Sequence, residues 1–379
     1  ELTIVFNDLG IINEDKTYCE ILLSSWLVHV ISSIKIRYDE LVNLKNKFNE
    51  KKLYITKINK NFTFKDTKSL ISSFTYDNEF NQFLYANIAE EIGINTELFE
   101  NKEIRKEDRN QKNISFIKDI KFYFFSVFLK IFKPSLLIDS YLKKSLSFLI
   151  KSKGSLVIMP STIIDIDLSS KVDLNIRNKI KIEEDDVIDK IFNKLLKFLI
   201  PTSLIEENPR IKKKISLIKS NISILGTSVG IHTSEAYKFL LAEVNKKKIK
   251  TLGFQHGAYY NCQTDNIIEE VEKNSCSTYL YWNNKLGLGL NHLHSLKKMS
   301  LKNISKNKKI IFYQSLLKKY NNRIEYQMNI NDNLSIINGY LDFYGNLEQN
   351  LKDFFYIKNY PTNNFWNSKI FFNQKFGQK

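Results

Sequence analysis

Residues 222–260, ISILGTSVGIHTSEAYKFLLAEVNKKKIKTLGFQHGAYY, decide the fold of this chain. Apolar runs at 222–225 and 249–254 have the length of short strands, and residues 236–245 between them have helical spacing after a capping Ser234. A strand, a crossover helix and a second strand form a β-α-β unit, whose two strands are parallel. The sequence therefore predicts an α/β domain, rich in helices, around a Rossmann-type parallel sheet.

Polar residues follow both predicted strands. Residues 226–228 (GTS) end the first strand, and residues 255–257 (QHG) follow the second. Ligands of open parallel sheets bind outside the carboxyl ends of the strands, so we expect His256 to project into a crevice. There a neutral imidazole can accept a hydroxyl proton, and a protonated one can hydrogen-bond a phosphate. The alternative is a turn in which His256 only satisfies buried carbonyls.

An acidic stretch downstream offers a partner for this histidine. Its members are Asp265, Glu269, Glu270 and Glu272. One of these carboxylates would orient His256 or bind an acceptor hydroxyl, and we take Glu269 as the catalytic candidate. The alternative is the solvated face of a helix.

Other common sites lack their signatures. The chain contains no GxGxxG, GxxxxGK[ST] or HExxH motif, which argues against P-loop phosphotransfer, zincins and dinucleotide-dependent dehydrogenases. His292 and His294 have no Cys or carboxylate at a ligand-like interval, so no metal site is predicted.

The composition indicates a globular protein with a diffuse positive charge. The chain has 379 residues, of which 43% are hydrophobic, and 57 Lys and Arg against 41 Asp and Glu give a net charge of +16. The basic residues are scattered and match no nucleic-acid module, so we expect anionic substrates or the inner membrane face as partners and no nucleic acid. Three Cys without close spacing and no visible signal peptide favour the cytoplasm.

Further segments complete the predicted organisation. Helices are expected at 15–41, 78–92 and 182–200, a solvated loop at 101–113, and strands at 277–282 and 309–313. We place an interdomain connection within 283–307 and predict two units, 1–296 and 305–379.

The most apolar window, residues 122–132 (FYFFSVFLKIF), is about half the length of a membrane span. We expect a core helix. The alternative is a helix lying in a membrane interface, since Lys118, Lys121, Lys130 and Lys133 flank the aromatic residues.

Four stretches resemble a family of bacterial transferases from surface-polysaccharide loci, which is distantly similar to capsule and Kdo-type transferases. The stretches are 18–38, 201–206 (PTSLIE), 224–282 and 341–366, and the Gln255-His256-Gly257 segment is the most specific. The resemblance implies the GT-B architecture of two Rossmann-type domains. Members extend beyond both ends of this sequence, so we expect the second domain to be incomplete.

The resemblance also implies a chemistry. A sugar would pass from a nucleotide-activated donor to a polysaccharide or lipid-linked acceptor, with no cofactor or metal, at the cytoplasmic side of the membrane. His256 would be the base or a phosphate contact. The other expected substrate-binding residues are Gln255, Gly257, Thr227, Ser228 and Tyr259. Arg37 and Glu206, matched to family positions, would form a structural ion pair.

Two alternatives stay open at this point. A glycerol-phosphate-type transferase of wall-polymer synthesis would also place a His-Gly segment in such a cleft. A decayed, non-catalytic relative that binds nucleotide or glycan is the other, because Ala258 replaces a common Gly and the Asp expected near Ser277 is missing.

Overall fold

A computed structural model of the chain describes most of its length. The described residues are 1–48, 53–56, 62–99, 115–132, 136–139, 156–158, 171–218, 222–256, 260, 266–281, 309–313, 320–321 and 330–358. The predicted loop at 101–113 and most of the predicted connection at 283–307 lie outside them.

The helices within these residues are α1 (Leu2–Asp8), α2 (Lys16–Lys47), α3 (Thr67–Tyr76), α4 (Asn78–Glu91), α5 (Ser115–Phe132), α6 (Leu174–Arg177), α7 (Val187–Leu199), α8 (Asn208–Ile215), α9 (Gly230–Thr233), α10 (Glu235–Lys246), α11 (Ile267–Asn274), α12 (Ile330–Gly345) and α13 (Gln349–Lys352). The strands are β1 (Leu53–Thr56), β2 (Thr96–Phe99), β3 (Leu136–Asp139), β4 (Leu156–Ile158), β5 (Ile224–Thr227), β6 (Lys250–Phe254), β7 (Thr278–Leu280), β8 (Ile310–Tyr313) and β9 (Phe355–Lys358).

Five strands form one parallel sheet, in the order β4-β3-β5-β6-β7. The predicted β-α-β unit is confirmed as β5, α10 and β6, with Thr227 opposite Gly253 in the register. The predicted third strand is β7, which places Tyr279 opposite Gly253 on the other side. Because these strands are parallel, the carboxyl ends of β5, β6 and β7 meet at one edge of the sheet.

Two short parallel pairs, β1 with β2 and β8 with β9, accompany this sheet. The α/β class is therefore confirmed. The second pair lies within the predicted unit 305–379, and the GT-B arrangement of two domains stays a prediction.

The longest helix, α2, runs through the core of the fold. Its prediction at 15–41 is confirmed, and the Asp15 side chain caps it by accepting the Tyr18 N–H at 2.9 Å. Trp26, fully buried, donates its Nε1–H to the carbonyl of Leu199 at the end of α7. In the described part of the chain, α2 is the one helix with the length and hydropathy of a membrane span, and 67% of its apolar window is buried within the fold.

Local capping sets other boundaries. The helix predicted at 182–200 begins only at Val187, because the Asp186 side chain caps it by accepting the N–H groups of Ile188 and Asp189. It ends at Leu199, before Pro201, as predicted. The strand predicted at 222–225 instead runs through Thr227, so the polar residue at position 227 belongs to the strand itself.

The expected ion pair between Arg37 and Glu206 is wrong. Glu206 pairs with Arg177, and both side chains are buried. Arg37 instead hydrogen-bonds the Asn81 side chain and the carbonyls of Ser33 and Phe74. Both arginines are structural: they bind polar groups that would otherwise be buried without a partner.

Candidate functional site

The carboxyl edge of the sheet holds His256 where solvent reaches it. The residue before it, Gln255, donates its backbone N–H to the carbonyl of Leu280 at 2.9 Å, which continues the pairing of β6 with β7 past the end of the strand. The His256 side chain is 24% exposed. The backbone next to His256 is therefore anchored to the sheet, and its side chain is partly accessible to solvent. The crevice expected beside it stays a prediction.

A buried carboxylate stands behind this imidazole. Oε1 of Glu272, on α11, lies 3.7 Å from Nδ1 of His256, and the Glu272 side chain is 4% exposed. Tyr260 donates its hydroxyl to the same oxygen at 2.8 Å, and that hydroxyl is 3.2 and 3.3 Å from the two ring nitrogens of His256. The tyrosine hydroxyl thus connects the imidazole to the carboxylate.

The second oxygen of Glu272 binds another tyrosine. Tyr279, on β7, donates its hydroxyl to Oε2 at 2.6 Å. Burial raises the pKa of Tyr279 well above its usual range, and the charge of Glu272 raises it further. This hydroxyl therefore stays protonated and serves as a donor, which suits an ionised Glu272.

His232, in the connection between β5 and α10, and two residues of α2 complete the cluster. His232, on α9, lies with Nε2 at 2.9 Å from Oε1 of Glu272, and its Nδ1 lies 2.7 Å from Oγ of Ser25 on α2. His29 lies one turn after Ser25 on α2, and its ring packs edge-on against that of His232 with the centroids 6.3 Å apart. Two histidines thus lie beside one carboxylate, and a third packs against one of them.

The arrangement of His256 and Glu272 is suited to general base catalysis. An accessible imidazole with a buried carboxylate behind it has the parts of a general base, because the carboxylate stabilises the imidazolium formed when a proton is taken up. Among the described residues, no group of three His, Cys, Asp or Glu side chains is placed to hold a metal ion.

A family model gives this arrangement its context. The model described as "LIC12162 family transferase" matches residues 1–379, which is the whole chain. The chain belongs to the LIC12162 transferase family. Neither the comparison with curated proteins nor that with solved structures found a match. The expectation of a transferase is confirmed, and the sugar chemistry and the polysaccharide context remain predictions.

In this LIC12162 family transferase, Glu269 lies on the same helix as Glu272 but has other described contacts. Its carboxylate accepts the hydroxyl of Tyr281 at 3.1 Å and pairs with Lys273 at 2.8 Å. The acidic residue described beside His256 is Glu272 rather than the expected Glu269. Both carboxylates are buried, so among the described members of the acidic stretch the solvated-face alternative fits Glu270, which is exposed. Asp265 lies outside the described residues.

The transferase keeps Thr227 and Ser228 inside the fold. Thr227 accepts the N–H of Gly230 with its hydroxyl at 2.6 Å, so it shapes the turn after β5. The Ser228 hydroxyl is buried and has no hydrogen-bond partner in the described part of the chain. It lines, with Glu272 and Tyr279, a cavity of about 10 Å³, the size of one water molecule. The predicted Gly257 and Tyr259 lie outside the described residues.

Substituting Gly253 by alanine should disturb this cluster through Tyr279. A methyl group on Gly253 would overlap the Tyr279 ring and lie 2.9 Å from Sγ of Cys276. We expect the free energy of unfolding to fall by about 1–3 kcal/mol, as overpacking usually costs. Urea unfolding followed by circular dichroism measures this.

Gly339→Ala is the matched control, because nothing lies within 4 Å of its added methyl, and helix propensity should raise stability by up to about 1 kcal/mol. Equal effects of the two substitutions would contradict the prediction.

Proposed function

We propose that this family transferase moves a sugar from a nucleotide-activated donor to a cell-surface polysaccharide or a lipid-linked acceptor, with His256 as the general base. The observation that carries the proposal is the accessible His256 imidazole at the carboxyl edge of the sheet, with the buried Glu272 carboxylate 3.7 Å behind it. The family name supports group transfer.

The proposed step begins with a neutral His256. One ring nitrogen takes the proton of an acceptor hydroxyl while that oxygen attacks the anomeric carbon of the donor sugar. The bond between that carbon and the phosphate oxygen breaks, and its electron pair leaves with the nucleotide. Glu272 then holds the His256 imidazolium next to its negative charge, and Tyr260 keeps the ring oriented. The nucleotide sugar is the substrate, and the step uses no cofactor.

A donor screen tests this function. Nucleotide sugars should raise the melting temperature of the protein, and free nucleotide should appear when a glycan or lipid-linked acceptor is added. CDP-glycerol belongs in the same panel. Release of CMP from it, with no nucleotide from any sugar donor, would favour a glycerol-phosphate transferase. A thermal shift without release under any acceptor would favour a non-catalytic binder, and either result would replace the proposal.

We also propose peripheral binding at the inner membrane face, through α5. The predicted helix is confirmed, but its expected place in the core holds for one side only: Phe125 and Leu129 are buried, whereas Tyr123, Phe124 and Ile131 are 64–68% exposed. Exposed aromatic and aliphatic side chains beside an exposed Lys130, on a chain of net charge +16, suit an anionic lipid surface.

Vesicle sedimentation tests this contact. We expect the protein to sediment with vesicles containing phosphatidylglycerol and much less with pure phosphatidylcholine. Substitution of Phe124 and Ile131 together by serine should lower the bound fraction several-fold at low salt. Ile4→Ser is the control, because Ile4 is also 63% exposed but lies on α1. Equal binding of the double variant and the native chain would rule out α5 as the contact.

A further inference from the structure

We propose that His232 and His256 share a single proton through Glu272, so that His232, without contacting substrate, sets the pH range in which His256 is a base. The catalytic consequence rests on the proposed function. The sharing itself is a property of three side chains and does not depend on any substrate.

Both imidazoles face the same oxygen. Oε1 of Glu272 lies 2.9 Å from Nε2 of His232 and 3.7 Å from Nδ1 of His256. One carboxylate can neutralise one imidazolium. A second proton would leave a net positive charge in a site where Glu272 is 4% exposed and the His232 side chain 11% exposed. The first proton should therefore bind readily and the second only at markedly lower pH.

His232 is built to hold either protonation state. When neutral, with Nε2–H donating to Glu272, its Nδ1 accepts the hydroxyl hydrogen of Ser25; when charged, Nδ1–H donates to the Ser25 oxygen instead. A hydroxyl can serve both roles because it rotates, and no partner is lost on protonation. Ser25 is buried, so solvent does not replace it.

The described groups around the three side chains include a third imidazole, two tyrosines, a thiol and a second carboxylate. His29 of α2 packs against His232, and Tyr260 and Tyr279 donate to Glu272 as neutral hydroxyls. Burial raises the pKa of Cys276, beside Tyr279, to about 11, so this thiol is neutral as well. On α11 itself, the charge of Glu269 is paired with Lys273.

The inference predicts how the proton is divided. His232 lies nearer the shared oxygen, so it should take the first proton and leave His256 neutral, which is the form that a base needs. If His232 cannot be charged, the full negative charge of Glu272 acts on His256, which should then protonate at higher pH.

Nuclear magnetic resonance of the histidine Cε1–H groups tests this directly. In the native chain we expect the His256 signal to titrate in two steps. In His232→Gln, whose amide can still donate to Glu272, it should titrate in one step with a midpoint about one pH unit higher. In Glu272→Gln the midpoint should fall. An unchanged His256 curve in His232→Gln would overturn the inference.

A second variant tests the inference independently, in case His232→Gln does not fold. Ser25→Ala removes the acceptor for charged His232 and leaves the ring in place, so the His232 midpoint and the upper step of the His256 curve should fall together. Movement of neither curve would also overturn the inference. Activity separates the two proposals: coupled titrations in a protein that releases no nucleotide would remove the catalytic use alone, whereas simple titrations in an active enzyme would remove the sharing alone.

Discussion

His256→Ala should lower the rate of acceptor-dependent nucleotide release by about 10²–10⁴-fold, the usual contribution of a general base. The loss should appear in kcat rather than in donor affinity, because the proposed proton transfer occurs only as the acceptor hydroxyl attacks. The melting temperature should change little. The His256 side chain is partly exposed and lies just beyond β6, so its removal opens no cavity in the core.

Two further variants make this result specific. Glu272→Gln should lower kcat less than His256→Ala, since an amide can orient the ring region but cannot balance the charge of an imidazolium. Glu270→Gln is the matched control from the same acidic stretch, because Glu270 is exposed and should leave kcat unchanged. Full turnover by His256→Ala would show that the base is another residue and would remove the proposed mechanism.

The β-α-β unit was predictable because its signals are local. The signals are the two apolar runs, the Ser234 cap and the spacing of the helix between them. All of them lie within one stretch of the chain, and each depends only on residues close to it in sequence. The same locality explains why His256 was found. A residue just after a buried strand lies at the sheet edge whatever the rest of the molecule does.

The partner of His256 was harder to predict because it depends on the rotation of a helix. Glu269, Glu270 and Glu272 lie on α11, which begins after Asn266 caps the N–H of Glu269. Which carboxylate meets the β6 edge depends on how α11 packs against β7 and α2. That packing involves residues distant in sequence, so the acidic stretch alone could not separate Glu272 from Glu269.

No local sequence signal pointed to the contact between Ser25 and the second imidazole. Ser25 and His232 touch across 207 positions of the chain, and only the folding of α2 over the sheet brings them together. His232 does lie in the turn after β5, at the same sheet edge as His256. A search for histidines after every predicted strand would have included it.

Arg177→Met should cost about 3–5 kcal/mol of unfolding free energy, because it leaves a buried carboxylate without its charge partner. Arg177 is 1% exposed and binds Glu206 with two nitrogens, at 2.8 and 2.9 Å. Its third nitrogen donates to the carbonyls of Lys197 and Ile200 at 2.8 and 2.7 Å. These carbonyls lie at the C-terminal end of α7, where no backbone N–H of the helix is available to bind them. The substitution therefore takes two hydrogen bonds from Glu206, whose Oε1 still accepts the N–H of Asp173 at 3.0 Å, and removes one donor from each of the two carbonyls.

Urea unfolding of matched variants separates the charge from the packing. Lys194→Met is the control, because Lys194 pairs with Glu90 and Glu91 at the surface and should cost at most about 1 kcal/mol. Arg177→Met combined with Glu206→Leu should recover much of the loss, since no buried charge then lacks a partner. A single variant that costs no more than the control would mean that water reaches Glu206. A double variant that recovers nothing would place the cost in the uncapped end of α7 instead.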